Sequence, residues 1–142
     1  MTNIAIVGAS GFTGLELTKI LEKHPKIQNM DLFSFNSAGK KISEFSDISS
    51  IKNYVLQDFK EINFNAYEVI FFACPNGTAM KYTDAIDSNI TKVIDLAADY
   101  RLDDEKIWES FYGIKHKNPQ LLSTAVYGIP EINRDKIKQA SI

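Results

Sequence analysis

The chain has 142 residues, of which 44% are hydrophobic and 24% are charged, and its formal net charge at pH 7 is -2. This is the composition of a globular protein that can bury a core, and the small negative charge gives no reason to expect a nucleic acid or an anionic membrane as a partner. No run of about eighteen apolar residues occurs, and the chain begins directly with a predicted strand, so we expect a cytosolic protein. The one cysteine, Cys74, excludes an internal disulfide bond and a cysteine-based metal cluster.

A glycine-rich turn follows the first predicted strand. The apolar residues 4–7 lead into GASGFTG at 8–14 and then into a predicted helix. In this G-x-x-G-x-x-G spacing, Gly8 predicts a tight exit from the strand, Gly11 a close approach to a pyrophosphate, and Gly14 close packing of the helix. The amides and dipole of the helix N-terminus favour an anion, and a plain turn without a nucleotide is the alternative. The candidate dinucleotide-binding residues here are Gly8, Ser10, Gly11, Phe12, Thr13 and Gly14.

The first helix is predicted to end near Pro25, and a second strand over residues 30–35 then leads into a polar loop. A dinucleotide fold places this loop at the adenosine ribose, where an NAD site would have an acidic residue. Residues 35–41 contain none, and Asp31 lies too early in the strand, so the loop favours the 2′-phosphate of NADP. A solvated loop without a ligand is the alternative for Lys40. The candidate residues at this end are Ser34, Asn36, Ser37 and Lys40.

The middle of the chain alternates between apolar runs and helical patterns. Residues 42–66 are the least informative: Ile42, Phe45 and Ile48 have helical spacing, and residues 54–56 predict a short strand. Residues 68–73 and 92–96 predict buried parallel strands, with a helix between them at 78–88.

This order predicts an α/β fold: a Rossmann-like, doubly wound, mainly parallel sheet with helices on both faces. Ligands bind such sheets beyond the carboxyl ends of the strands. The residues that this edge adds to the candidate site are Pro75, Asn76, Gly77 and Arg101.

The segment after Arg101 lacks the alternation of strands and helices. Acidic residues at 103–105 predict the start of a short helix that carries Trp108, residues 134–139 predict another helix, and residues 140–142 predict the beginning of a further strand. The Arg101 guanidinium can bind a phosphate or a carboxylate with two hydrogen bonds. An ion pair with one of three nearby aspartates is the alternative; these are Asp95, Asp99 and Asp103.

The other reactive side chains do not form a catalytic pattern. Cys74 ends a buried strand, so we expect an inert core residue. His24 lies in a turn that ends a helix, and His116 lies between two lysines without an evident acidic partner. The sequence has no paired carboxylates, no His-x-x-x-His and no G-x-S-x-G. It therefore offers no set of catalytic residues for metal-assisted hydrolysis or for serine hydrolysis.

Four motifs, in their order and spacing, resemble the N-terminal half of the N-acetyl-gamma-glutamyl-phosphate reductase family, within the wider aspartate-semialdehyde dehydrogenase group. They are GASGFTG at 8–14, SAGK at 37–40, VIDLAADYRL at 93–102 and AVYGIPEIN at 125–133. The resemblance implies an enzyme of arginine biosynthesis that reduces N-acetyl-gamma-glutamyl phosphate with NADPH to N-acetylglutamate semialdehyde and phosphate, through a cysteine thioester. It further implies that Arg101 binds the anionic group of the substrate and that Asn133 lies near the active-site rim.

The resemblance also implies what residues 1–142 lack. The family's nucleophilic cysteine, in an Asn-Pro-Gly-Cys-like segment, and its general-base histidine are expected beyond residue 142, so these residues are expected to supply the cofactor site and to be inactive alone. Asn36 stands where relatives often have an arginine near the 2′-phosphate. A small-molecule substrate and a homo-oligomer are expected for the full-length enzyme. Two alternatives are the related carrier-linked acyl-phosphate reductase of lysine biosynthesis and a non-catalytic NADP-binding module.

Overall fold

The computed structural model describes residues 1–45 and 53–142. Within these ranges one parallel sheet is formed by five strands: β1 (Thr2–Val7), β2 (Ile27–Ser34), β3 (Gln57–Asp58), β4 (Val69–Phe72) and β5 (Lys92–Asp95). Their spatial order is β3-β2-β1-β4-β5, and every neighbouring pair is parallel. The predicted Rossmann-like α/β sheet is confirmed, and its central position is taken by β1, the strand that leads into the glycine turn.

The described part of the chain contains three α-helices: α1 (Phe12–Leu21), α2 (Glu105–Tyr112) and α3 (Pro130–Gln139). The predicted cap of α2 is present, because the Asp104 carboxylate accepts a hydrogen bond from the Ile107 amide. The same helix ends at Gly113, which has a left-handed conformation with φ +69°.

The core has two parts, one on each side of the sheet. Ala5 and Val7 of β1 belong to one cluster, whereas Ile4 and Ile6 belong to the other, so β1 is buried on both faces. The first cluster contains Trp108 of α2, which is fully buried. Its indole nitrogen donates a hydrogen bond of 2.7 Å to the Ala98 carbonyl, and this bond fixes α2 against the segment that follows β5.

The helix predicted at residues 78–88 is wrong. The structure has two short 3-10 turns there, Ala79–Lys81 and Thr83–Ala85. The Tyr82 ring packs against Phe59 with 4.7 Å between the centroids, and the adjacent Thr83 hydroxyl shares a buried hydrogen bond with Tyr100. These tertiary contacts fix two consecutive side chains and outweigh the local helical pattern.

Other boundaries differ by a few residues. The strand β2 begins at Ile27 rather than residue 30, and the strand predicted at 54–56 is wrong, because Val55 forms only an isolated antiparallel bridge with Lys41 while β3 follows it. Ile42 begins a single 3-10 turn, Ile42–Glu44, and the predicted position Ile48 lies outside the described residues. The helix α3 begins at Pro130 rather than residue 134, since proline fits the first turn of a helix.

Candidate functional site

The fold requires glycine at two of the three glycine positions of the first turn, and not at the third. Gly8 has φ +83°, and a Cβ there would lie 2.4 Å from the Ala73 carbonyl oxygen. A Cβ at Gly14 would lie 2.4 Å from the Gly8 carbonyl oxygen, which shows how closely α1 packs on the turn. Gly11 has φ -82°, and its Cβ would meet only one atom, at 3.5 Å. The protein's own backbone and packing therefore do not require glycine at position 11, and the missing side chain leaves the outer surface of the turn open.

The start of α1 lies directly beside this opening. Gly11 is the N-cap residue and gives the helix no side-chain cap, and no described residue accepts a hydrogen bond from the amides of Phe12, Thr13 or Gly14. Gly11, Phe12 and Thr13 are exposed. Unpaired amides at the positive end of a helix form an anion-binding site, so the geometry here can hold a phosphate group.

A cleft of about 270 Å³ separates this turn from the segment after β4. Because β1 and β4 are neighbours in the sheet, their carboxyl ends meet at one edge, and the cleft forms between them. The structure thus brings the glycine turn and Pro75 together, as predicted. The residues that line the cleft are Gly11, Phe12, Thr13, Ala73, Cys74, Pro75 and Leu96.

The loop after β2 is shaped by Ser34. This side chain is only 3% exposed, and its hydroxyl oxygen accepts hydrogen bonds from the amides of Asn36 at 3.4 Å and Ser37 at 3.2 Å. It also lies 3.3 Å from the Ser10 hydroxyl, which links the loop to the glycine turn. Asn36 and Lys40 are exposed on the same loop.

Asp31 has other partners. Its two carboxylate oxygens accept hydrogen bonds of 2.9 Å from the Gln57 amide group and the Tyr67 hydroxyl. Burial, together with this hydrogen bond to Asp31 and the charge of Asp31, raises the pKa of Tyr67 above its ordinary value. The aspartate therefore ties β2 to its surroundings, in agreement with its exclusion from the candidate site.

Asp99 holds the Pro75–Gly77 segment in place, and sequence reasoning did not find this role. The Asp99 side chain is fully buried and accepts hydrogen bonds from the amides of Gly77 at 2.6 Å and Met80 at 3.0 Å. Asp95, four residues earlier, accepts in turn from the amides of Ala97 and Asp99. Burial raises the pKa of Asp95 to about 6, and the negative charge of Asp99 acts in the same direction. The available signal was a pair of aspartates four residues apart, one at the end of a buried strand and one after it.

Arg101 follows β5 at the carboxyl edge of the sheet, and its side chain is exposed. Its Nη2 donates a hydrogen bond of 2.9 Å to the Ala97 carbonyl, and the guanidinium carbon lies 5.8 Å from the centroid of the Tyr127 ring. No carboxylate in the described part of the chain forms an ion pair with it, so the alternative of a pair with Asp95, Asp99 or Asp103 is wrong. The Asn133 side chain donates a hydrogen bond of 3.0 Å to the Tyr127 carbonyl rather than pointing free into the site.

The groove next to Arg101 has a volume of about 510 Å³ and runs along the outer edge of β5. At one end of it, the Val93 amide donates a hydrogen bond of 2.8 Å to the Ser141 carbonyl, and the Val126 amide donates one of 3.0 Å to the Ile142 carbonyl. Ser141 therefore lies beside β5, where a further strand of the sheet is predicted to begin.

His116 is buried, whereas Cys74, which was expected in the core, is half-buried and lines the cleft beside the glycine turn. The Nδ1 atom of His116 accepts a hydrogen bond from the Asn118 amide, so Nε2 carries the proton and donates it to the Asp99 carbonyl at 2.8 Å. The ring is buried against Trp108 and Tyr100. Burial, with smaller contributions from the charges of Asp95 and Asp99, raises the pKa of the Cys74 thiol to about 12, which keeps this thiol protonated at neutral pH.

The family model described as semialdehyde dehydrogenase, NAD binding domain, matches residues 3–140. The chain belongs to this family. It is therefore an NAD(P)-binding domain of the semialdehyde dehydrogenase group. No described helix has the length and apolar composition needed to cross a membrane, and the described residues contain no cluster of three or more potential metal ligands.

Similar proteins agree with this family. The chain is 42% identical, over its whole length, to the N-acetyl-gamma-glutamyl-phosphate reductase of Nitrosomonas europaea, and 41% identical to the enzyme of the same name from Acinetobacter baumannii. It spans 42% and 41% of the length of these two relatives.

Solved structures show the same fold. Aspartate semialdehyde dehydrogenase II from Vibrio cholerae superposes with a TM-score of 0.68 at 20% identity, covering all of this chain and 37% of that one. Aspartate semialdehyde dehydrogenase with NADP from Candida albicans superposes with a TM-score of 0.57 at 23% identity, covering 74% of this chain and 32% of that one.

Proposed function

We propose that residues 1–142 are the NADP-binding domain of an N-acetyl-gamma-glutamyl-phosphate reductase, and that the nucleophilic cysteine and the base histidine lie in a longer protein beyond residue 142. The two relatives with this name are more than twice the length of the chain and match all of it. One observation carries the cofactor assignment: Gly11 is required by neither backbone nor packing, and it opens onto three amides that lack acceptors among the described residues. A dinucleotide pyrophosphate explains both features.

The cofactor then extends along the sheet edge in both directions. Its pyrophosphate binds the amides at the start of α1, and its nicotinamide end lies toward the cleft that Pro75 lines, next to Asn76 and Gly77 in the chain. Its adenosine end lies at the loop after β2, where Asn36, Ser37 and Lys40 offer only hydrogen-bond donors and neutral acceptors. Since that loop has no carboxylate for ribose hydroxyls, we assign NADP rather than NAD. Ser34 contributes indirectly, because its buried hydroxyl sets the conformation of the loop.

The bound cofactor supplies the hydride that reduces a thioester to an aldehyde. The residues of this chain orient that hydride donor at the sheet edge and place a guanidinium, Arg101, on the same edge for the anionic group of the substrate. A strand that begins at Ser141 and runs parallel to β5 ends at this edge as well. We place the nucleophilic cysteine after such a strand, at the same carboxyl edge of the sheet as the cofactor cleft.

The test is a titration with NADPH and NADH, followed by cofactor fluorescence. The protein that contains this chain is expected to bind NADPH more tightly than NADH. Gly11→Val is expected to weaken NADPH binding at least about tenfold, which corresponds to about 1.4 kcal/mol, because the new side chain fills the opening above the amides. Gly128→Val is the matched control, since Gly128 also has open space and lies outside the glycine turn. Normal NADPH binding by Gly11→Val would contradict the pyrophosphate assignment, and equal affinities for NADPH and NADH would contradict the choice of NADP.

A further inference from the structure

We infer that Tyr127 and Asn133 are positioning residues that hold the Arg101 guanidinium in place for an oxyanion of the substrate; this inference rests on the proposed function. Arg101 carries the positive charge, but its long side chain is exposed and has no carboxylate partner among the described residues. Such a side chain loses much conformational freedom when it binds a ligand. Contacts that fix its orientation beforehand therefore strengthen binding.

The structure fixes the guanidinium at two points. Nη2 donates to the Ala97 carbonyl, and the Tyr127 ring lies beneath the guanidinium at 5.8 Å. An aromatic face attracts the cation and leaves its in-plane hydrogens free, and a planar guanidinium needs those hydrogens to bind a phosphate or carboxylate with two bonds. Nη2 is the one guanidinium nitrogen with an acceptor in the described ranges, so Nε and Nη1 are available for an oxyanion.

The ring of Tyr127 is itself held through its backbone. The Tyr127 carbonyl accepts hydrogen bonds from the Ile129 amide at 2.8 Å and from the Asn133 side chain at 3.0 Å. The amide of the preceding residue, Val126, is bound to the Ile142 carbonyl. Asn133 lies in the first part of α3, so one helix fixes the loop whose ring supports Arg101. The Tyr127 hydroxyl takes no part in these contacts.

These contacts predict a specific kinetic pattern in the full-length enzyme. Tyr127→Leu removes the aromatic face and is expected to raise the KM for the acyl phosphate about two- to fivefold, the range for a cation over a ring at an exposed site, without changing the KM for NADPH. Tyr127→Phe keeps the ring and is expected to behave as the parent enzyme. Asn133→Ala is expected to change the KM in the same direction as Tyr127→Leu through the loss of one hydrogen bond.

A double-mutant cycle separates positioning from a merely structural role. In an Arg101→Met background, Tyr127→Leu is expected to cause no further rise in KM, because the ring acts only through the guanidinium. Inorganic phosphate and an N-acyl amino acid are then compared as inhibitors of Tyr127→Leu and of its parent. The inhibitor whose inhibition is weakened by Tyr127→Leu carries the oxyanion, phosphate or carboxylate, that Arg101 binds. The same KM rise in both backgrounds, or an unchanged KM in Tyr127→Leu and Asn133→Ala, overturns the inference. A parent enzyme that does not oxidise NADPH when the acyl phosphate is supplied overturns the proposed function itself, and the inference with it.

Discussion

Replacing Gly14 with alanine tests whether the close packing of α1 on the glycine turn is a property of the fold. The new Cβ would lie 2.4 Å from the Gly8 carbonyl oxygen and 2.6 Å from the Ala9 Cα. Both are backbone atoms, so neither can rotate away. An ordinary carbon contact requires about 1 Å more, and the start of α1 must move away from Gly8 and Ala9 of the turn by that distance.

The expected loss of stability follows from two opposing effects. Forcing a methyl group into a closely packed region costs about 1–3 kcal/mol. Alanine stabilises a helix relative to glycine by up to about 1 kcal/mol. The midpoints of these two ranges differ by about 1.5 kcal/mol, so the free energy of unfolding is expected to fall by about that amount. Gly11→Ala is the matched control, because its Cβ has room and its φ of -82° suits alanine, and its stability is expected to change by less than about 0.5 kcal/mol.

Urea denaturation followed by tryptophan fluorescence measures both variants. Trp108 is the one tryptophan of the chain and is fully buried, so its emission reports on the folded core. The two variants are expected to differ in which property they lose. Gly14→Ala loses stability, whereas Gly11→Ala keeps its stability. Gly11→Ala binds NADPH more weakly, because its methyl group lies in the opening. Equal stability of Gly14→Ala and the parent protein would refute the packing argument.

Two further predictions concern ionisable groups at the same edge. Because burial raises the pKa of Asp95 to about 6 from 3.8, the folded state holds this proton more tightly than the unfolded state, and stability falls as the pH rises from about 4 to about 6. Asp95→Asn lacks this titration, so its stability relative to the parent protein is expected to rise by about 2–3 kcal/mol between pH 4 and pH 7 in urea denaturation; a constant difference would contradict the assignment. The Cys74 thiol, with its pKa raised to about 12 by burial, is expected to react with a disulfide reagent at pH 8 more than about a hundredfold slower than in the urea-unfolded chain, and equal rates would show that the thiol is not protected.

The sequence predicts those elements of the fold that are determined by residues close to one another along the chain. The strands β1, β4 and β5 were located because strands of a parallel sheet are apolar on both faces and form continuous runs. The glycine turn was located because strand, glycines and helix follow each other directly. The cap of α2 was located for the same reason, since Asp104 and Ile107 are three residues apart.

The parts that the sequence does not predict depend on distant contacts. The 3-10 turns at 79–85 are set by Phe59, Tyr100 and Asp99, each of which lies 17 or more residues along the chain from the residue that it contacts. The partner of Arg101 could not be chosen either, because three aspartates lie close in sequence, yet the fold places the guanidinium over Tyr127, 26 residues later. Local pattern identifies elements and the edge where a ligand binds, whereas the arrangement of side chains at that edge follows from tertiary packing.

The irregular segment after β5 connects several parts of the ligand edge through Asp99. Its Asp99 uses three groups at once: the carboxylate binds the amides of Gly77 and Met80, the carbonyl accepts from His116, and the amide donates to Asp95. Removing that carboxylate would leave two buried amides without acceptors, which costs about 1–3 kcal/mol each. A buried polar network in which every group has a partner makes its part of the core rigid. The segment thus has a buried polar network in place of regular secondary structure, and this network holds residues 77–80 beside the sheet edge where the cofactor is proposed to lie.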